Sequence, residues 1–197
     1  MKIILASASP RRKEILEGLG VEFSVLVADA DESCNIADPY EYAMAIARRK
    51  GQAAWAQLKL RMKDGEDMSD ALVISADTVV FAGGEILGKP RDRADAYRMI
   101  KLLSGADHEV ITGIGITVGG ETHTAFGTTL VRVMPIPDGE IQKYGDSGDC
   151  DDKAGAYGIQ GIFSKWIEGI GGCYFNVVGL PTNALNKLFY EVTGEYL

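Results

Sequence analysis

The sequence predicts an α/β fold built on a mixed sheet, and three observations carry that expectation. Strand-length apolar runs alternate with helix-length amphipathic stretches along all 197 residues. No repeat period organises them, which sets aside solenoids and propellers. The helical stretches open on capping signals, so their starts can be placed. One domain over residues 1–197 is expected, since no low-complexity tract or clear linker divides the chain.

Taken in order, Ile3-Ile4-Leu5 reads as a short buried strand that stops at Ser7-Ala8-Ser9-Pro10. Ser9 suits an N-cap and Pro10 the first helical position, so a helix follows to about Leu19 and breaks at Gly20. Residues 21–28 read as a second strand. Asp38, Pro39 and Glu41 repeat the start signal, for a helix to about Leu60. Residues 61–70 hold four acids and one glycine and read as a surface loop. Residues 72–81 form a nearly continuous apolar strand with Asp77 inside it. Gly83-Gly84 is a hairpin turn. Asp92 caps a helix over residues 93–103, with Ala96, Met99, Ile100 and Leu103 on one face and Ser104-Gly105 at its end. Strands over 109–118 and 124–134 join through Gly119-Gly120. Pro137-Asp138 opens a short helix to about Tyr144, an acidic loop covers 145–152, and short strands precede a last helix from Pro181 to about Val192.

Composition narrows the function. A hydrophobic fraction of 46% over this length supports a core without disulfides or metal. The 28 acids outnumber the 20 lysines and arginines, for a net charge of −8, which argues against a broad phosphate-neutralising surface for nucleic acid. Cys34, Cys150 and Cys173 are odd in number and widely spaced, fitting neither a disulfide framework nor a cysteine-rich zinc site. No apolar stretch reaches about 18 residues, and the N-terminus lacks a signal-peptide core. The expectation is an intracellular, cytoplasmic protein acting on small molecules.

Several motifs resemble chemistry and fail on detail. Residues 83–89 match the first seven positions of a P-loop, but Pro90 stands where a metal-binding hydroxyl and a backbone N–H are needed. Gly145-Asp146-Ser147-Gly148 resembles a serine-protease nucleophile loop, yet the only histidines, His108 and His123, lie close before it. Gly113 and Gly115 lack the third glycine of a dinucleotide fingerprint and read as strand features. Asp29-Ala30-Asp31-Glu32-Ser33 after an apolar run resembles an aspartyl-phosphate phosphatase of the haloacid dehalogenase type, with Asp146 and Asp151 as its distal acids. There the nucleophile belongs after the first strand, and here a strand and a helix precede it.

Other features persist. Arg11, Arg12 and Lys13 crowd a helix N-terminus, against its dipole, so an anion should offset them. A strand, a loop carrying Ser7 and Ser9, and a helix N-terminus with two guanidiniums make a phosphate site; a solvated basic turn is the other reading. Asp77 is costly to desolvate inside its strand unless paired or metal-bound. It is read as a metal ligand or general base, with a purely structural carboxylate as the alternative. Asp29, Asp31 and Glu32 are hard oxygen donors suited to Mg²⁺ or Mn²⁺ if folding brings them beside Asp77. Lys50 shares a helical stripe with Ala43, Ile46, Ala47 and Ala54 and needs a partner, or snorkels to solvent. Lys89 and Lys153 sit in glycine-bearing loops, either against a ligand or in solvent. Several cations with at least two carboxylates suit metal-assisted chemistry on a polyphosphate.

These residues also carry a family resemblance across nearly the whole chain. Leu5-Ala6-Ser7-Ala8-Ser9-Pro10-Arg11-Arg12, Ala76-Asp77-Thr78-Val79-Val80, Gly88-Lys89-Pro90, Leu103-Ser104-Gly105, the run from Asp152 to Gly161, and Asn176-Val177-Val178-Gly179-Leu180-Pro181 appear in order. The chain resembles the Maf (septum-formation) family of nucleoside triphosphate pyrophosphatases. The resemblance implies an elongated mixed sheet flanked by helices, like that of inosine triphosphate pyrophosphatases, with two lobes and a cleft. It implies hydrolysis of a nucleoside triphosphate to monophosphate and pyrophosphate with a divalent cation, in a homodimer.

By motif, Asp77 would accept the proton of water or hold the metal with Glu32. Arg12, Lys50 and Lys89 would neutralise the triphosphate, and Arg11, Thr78 and Gln160 would shape base selection. The intact run over 153–161 resembles the branch acting on dTTP and UTP, and a Gln160 amide can match the edge of thymine or uracil. Gly51 and Cys173 depart from residues common in the family. A nucleotide-binding regulator of division with incidental hydrolysis, and the phosphatase above, are the competing functions.

Overall fold

The computed structural model describes residues 1–63, 67, 68 and 70–197. Its elements are β1 (Lys2–Leu5), α1 (Pro10–Gly18), β2 (Phe23–Val25), α2 (Pro39–Lys63), β3 (Ala71–Ala82), β4 (Glu85–Leu87), α3 (Arg93–Leu103), β5 (Asp107–Val118), β6 (Glu121–Val133), α4 (Asp138–Asp146), β7 (Ile167–Gly172), α5 (Tyr174–Val178) and α6 (Thr182–Thr193). Two 3₁₀ turns, Ala154–Ala156 and Ile162–Trp166, precede β7. The strands form one mixed sheet in the order β2-β1-β3-β5-β6-β7, with β4 paired to β3. β1 runs parallel to β2 and β3, whereas the β3–β4 and β6–β7 pairs are antiparallel. This is the mixed α/β architecture expected from the sequence.

Local chemistry sets most boundaries. Asp92 accepts the Asp95 N–H and opens α3, whose apolar face of Ala96, Met99, Ile100 and Leu103 is buried as expected. Asp38 Oδ1 takes the N–H groups of Tyr40 and Glu41, each at 2.9 Å, and opens α2. Both hairpins turn on paired glycines with positive φ, Gly83-Gly84 and Gly119-Gly120, as two-residue turns of the hairpin type require.

Four expectations shift. β2 covers only three residues rather than 21–28, because its partner β1 is itself short and the register ends at Leu5↔Val25. β6 starts at Glu121 rather than Thr124, since a two-residue turn pairs the strands at once. Ser9 occupies the N-cap of α1 but makes no side-chain cap bond; its own N–H donates to Ser7 Oγ at 3.2 Å. α2 runs three residues beyond Leu60, and the rest of the expected loop over 61–70 falls in part, at 64–66 and 69, outside the described residues.

The chain divides into two compact units. Residues 1–77, 112–127 and 179–197 form the first, and residues 78–111 and 128–178 the second. The first has a core that includes Ile4, Ala54, Trp55, Leu58 and Val73. The second is centred on Leu87, Ile100, Leu103, Val131, Tyr157 and Phe163. Cys34, Cys150 and Cys173 are free thiols. No helix among the described residues is long and apolar enough to cross a membrane.

Candidate active site

The first unit concentrates charge where α2 docks on the sheet, and small residues make the approach possible. A Cβ on Gly113 of β5 would lie 2.3 Å from the Ala43 backbone, and one on Gly115 2.7 Å from Ser75 Oγ. One on Gly51 of α2 would lie 2.6 Å from Thr117 Oγ1 and 2.9 Å from Ser75 Oγ. Glycine inside a helix costs roughly 1 kcal/mol relative to alanine, and here it permits contact that a methyl group would block. Ser75 Oγ donates to the Ala47 carbonyl at 2.7 Å, a fixed point between β3 and α2.

Strand pleating puts Ser75 and Asp77 on the same face of β3. Ser75 meets α2 at Ala47, and Asp77 meets it at Lys50, almost one turn further along. Lys50 Nζ donates to Asp77 Oδ1 at 2.7 Å and lies 3.1 Å from Glu32 Oε1. The Asp77 and Lys50 side chains are 14% and 19% exposed, while Glu32 is 61% exposed. The lysine on the apolar stripe therefore does not snorkel. It meets the strand carboxylate, and the loop glutamate pairs with the same ammonium.

Arg12 belongs to the same neighbourhood. Its Nε donates to the Gly179 carbonyl at 2.7 Å and its Nη1 to Ser7 Oγ at 3.1 Å. Ser7 and the segment before α6 thus aim the guanidinium from two sides. Desolvation lowers the Arg12 pKa and the nearby Arg11 lowers it further, while Asp77 and Glu32 act the other way; an arginine remains charged under such a shift. Tyr42, two turns before Lys50 on α2, has its phenol pushed up by burial and by the charges of Asp77, Cys34 and Glu32. Sequence reasoning passed over Tyr42; its i, i+8 spacing to Lys50 on the helix was the available signal.

Asp77 and Glu32 supply two hard oxygen donors at one ammonium. Among the described residues no group of three or more His, Cys, Asp and Glu gathers to hold an ion unaided. Two carboxylates nonetheless match Mg²⁺, which commonly takes one or two from the protein and the rest from substrate phosphates and water. The residues therefore fit a nucleotide-bound Mg²⁺ or Mn²⁺. Asp29 and Asp31, the other acids of that segment, do not reach Lys50 in the same way. Asp29 is exposed beyond the edge strand β2, and Asp31 Oδ1 accepts from Ser33.

The remaining candidates lie in the second unit. Thr78, half-buried, follows Asp77 in β3 and projects to the opposite face by the pleat. Lys89 is exposed beyond β4, and the Gly88 carbonyl before it accepts the Gly155 N–H at 3.0 Å. Lys153 is only 14% exposed; its Nζ meets Asp149 Oδ1 at 3.3 Å and Asp152 Oδ1 at 2.8 Å. Its stem passes where a Cβ on Gly158 would lie, 2.7 Å from Lys153 Cε. Lys153 thus braces its own loop. Gln160 is exposed on that loop, which also carries Ala156 at φ 59°, the one non-glycine residue with positive φ among those described. Tyr157 beside it is buried and hydrogen-bonded through its hydroxyl to His108 Nε2 at 2.8 Å.

The sequence look-alikes dissolve into structure. Gly83-Gly84 is a hairpin turn, and α3 begins only after Asp92. Gly145 and Asp146 end α4, Asp146 accepts from Tyr97, and Asp151 pairs with Arg93 at 2.9 Å.

Comparison with known proteins agrees with this geometry. Residues 2–192, running through both units, match the family described as Maf-like protein. A dTTP/UTP pyrophosphatase of Thermococcus kodakarensis is 45% identical over 186 residues, covering 94% of each chain. One of Caldanaerobacter subterraneus is 44% identical over 198 residues, spanning 100% of this chain and 90% of its own. A third, of Clostridium botulinum, is 41% identical over 197 residues, 96% of both. Six sequence motifs, a carboxylate pair on one lysine and a family match over almost the full length converge, and the chain belongs to the Maf family.

Proposed function

We propose that the chain hydrolyses nucleoside triphosphates, dTTP and UTP foremost, to the monophosphate and pyrophosphate. The observation that carries this reading is the meeting of Lys50 with Asp77 and Glu32, in a neighbourhood that Arg12 shares. Such a site offers cations to a polyphosphate and a carboxylate to the water that attacks it.

In this reading water attacks the α-phosphorus in line. A new P–O bond forms, the bond from the α-phosphorus to the bridging oxygen breaks, and pyrophosphate leaves with that electron pair. Asp77 engages Lys50 through one oxygen and takes the water proton on the other. Arg12, Lys50 and Lys89 neutralise charge on the triphosphate, and Ser7 and Ser9 line the start of α1 where its phosphates bind. Asp77 and Glu32 would hold a divalent cation, Mg²⁺ or Mn²⁺, which would withdraw charge from the phosphoryl oxygens. Arg11, Thr78 and Gln160 select the base, and Lys153 contributes by bracing the loop that presents Gln160. The chain works in the cytoplasm as a homodimer.

A panel of canonical and modified nucleoside triphosphates with Mg²⁺ or Mn²⁺ tests the reading. Pyrophosphate release, largest for dTTP and UTP, is the expected result. Orthophosphate alone would indicate a phosphatase, and tight binding without either product a nucleotide-binding regulator.

A further inference from the structure

Glu32 poses a physical problem. It is 61% exposed on an irregular segment, and an exposed ion pair holds a long side chain in one place only weakly. It nonetheless stands 3.1 Å from Lys50 Nζ. The cause lies one residue earlier on α2. Arg49 Nη1 donates to the carbonyl of Asp31 at 3.1 Å and to the carbonyl of Ser33, the two residues that flank Glu32. The same turn is closed from within, where Asp31 Oδ1 accepts the Ser33 N–H at 2.9 Å and the Ser33 hydroxyl at 2.5 Å. Those two Ser33 bonds, with Arg49 adding, hold the Asp31 carboxyl below its usual pKa. Neighbouring helix residues thus divide the work: Arg49 grips the backbone on either side of Glu32, and Lys50 meets its carboxylate.

We propose that Arg49 is a positioning residue, whose hold on the Asp31 and Ser33 carbonyls presents Glu32 to Lys50 and to the cation that enters with the nucleotide. The proposal rests on the reading of Glu32 as the second acidic group of the pyrophosphatase site. It assigns the planar guanidinium a task that a lysine fills poorly, because a single ammonium on a flexible stem is less well pre-organised for two carbonyls.

The test compares Arg49→Met, Arg49→Lys, Glu32→Gln and the Arg49→Met/Glu32→Gln double variant in the full chain. UTP turnover is followed against Mg²⁺ concentration, and amide hydrogen exchange over residues 29–36 is measured without nucleotide. Arg49→Met should lower kcat/KM about tenfold, the scale expected when two hydrogen bonds are lost, and should raise the Mg²⁺ concentration giving half the maximal rate. Exchange over 29–36 should quicken while that of α2 does not. Arg49→Lys should recover part of both effects, and the double variant should be no slower than Glu32→Gln. Wild-type exchange and Mg²⁺ dependence in Arg49→Met, with Glu32→Gln impaired, would overturn the positioning role alone; so would additive losses in the double variant. Full activity in Glu32→Gln would overturn this proposal and the underlying reading of Glu32 together.

Discussion

Two mostly buried lysines, one in each unit, are held in opposite ways. In the first unit, Lys50 joins Asp77 and Glu32, both far from it in sequence, and Arg12 reaches the carbonyl of Gly179. In the second, long-range pairs such as Arg93 with Asp151 stand beside local ones. Arg91 and Arg98 hold Asp95 at spacings of four and three, and Lys153 folds onto Asp149 and Asp152. Local pairs stabilise the turn or helix end that contains them. Long-range pairs at a close-packed helix and strand hold reactive groups in fixed geometry, which is what a catalytic site needs. The contrast teaches that Lys50 and Lys153, both mostly buried lysines with two carboxylate partners, differ in what they hold together: distant segments for Lys50, one loop for Lys153.

The sharpest way to break that comparison is Asp77→Asn. It should cut turnover at least about a thousandfold, within the range attributed to a general base and its electrostatic setting, while the melting temperature changes little. Near-normal turnover would remove Asp77 from the mechanism.

Next in size is the paired substitution Lys50→Met against Lys153→Met. Lys50→Met should lower kcat about a hundredfold and also destabilise the fold, since Asp77 is left desolvated without its partner. Lys153→Met should act chiefly on KM and on stability, through the loop it braces. Equal effects on kcat would erase the distinction between the two lysines.

A smaller effect concerns acid. Burial pushes the His108 imidazole down to about 4, while in the unfolded chain it titrates near about 6.5. As pH falls, the unfolded state therefore takes up the proton first. The stabilising contribution is intact above pH 6.5 and declines between that value and 4, by up to about 3 kcal/mol. His108→Gln should flatten the fall in chemical-denaturation stability over this window. Asp95, held well below its usual value by Arg91, loses its contribution only at lower pH, so the two are separable. An unchanged slope in the variant would assign the acid sensitivity elsewhere.

The sequence revealed the chemistry of single residues better than their partnerships. Asp77 inside an apolar strand and Lys50 on an apolar stripe are anomalies of local pattern, visible without a fold. Their pairing spans 27 residues and depends on how deeply α2 settles onto β3 and β5. The residues that set that depth are glycines, and absence of a side chain carries little signal. Gly113 and Gly115 read only as strand features and Gly51 only as a departure from the family. Asp38 and Asp92 were legible as caps because a cap bonds within three residues. Ser9 had the same signature, but Ser7 took its amide instead. Arg49 escaped notice because its role lies in gripping carbonyls, which any residue types at 31 and 33 would supply.

Oxygen-18-enriched water gives the most direct measurement of the central claim. UTP turned over in it should yield label in the monophosphate and none in pyrophosphate, because water joins the α-phosphorus and the bond to the bridging oxygen breaks. Label in pyrophosphate or in orthophosphate would place the attack on another phosphorus and contradict the account.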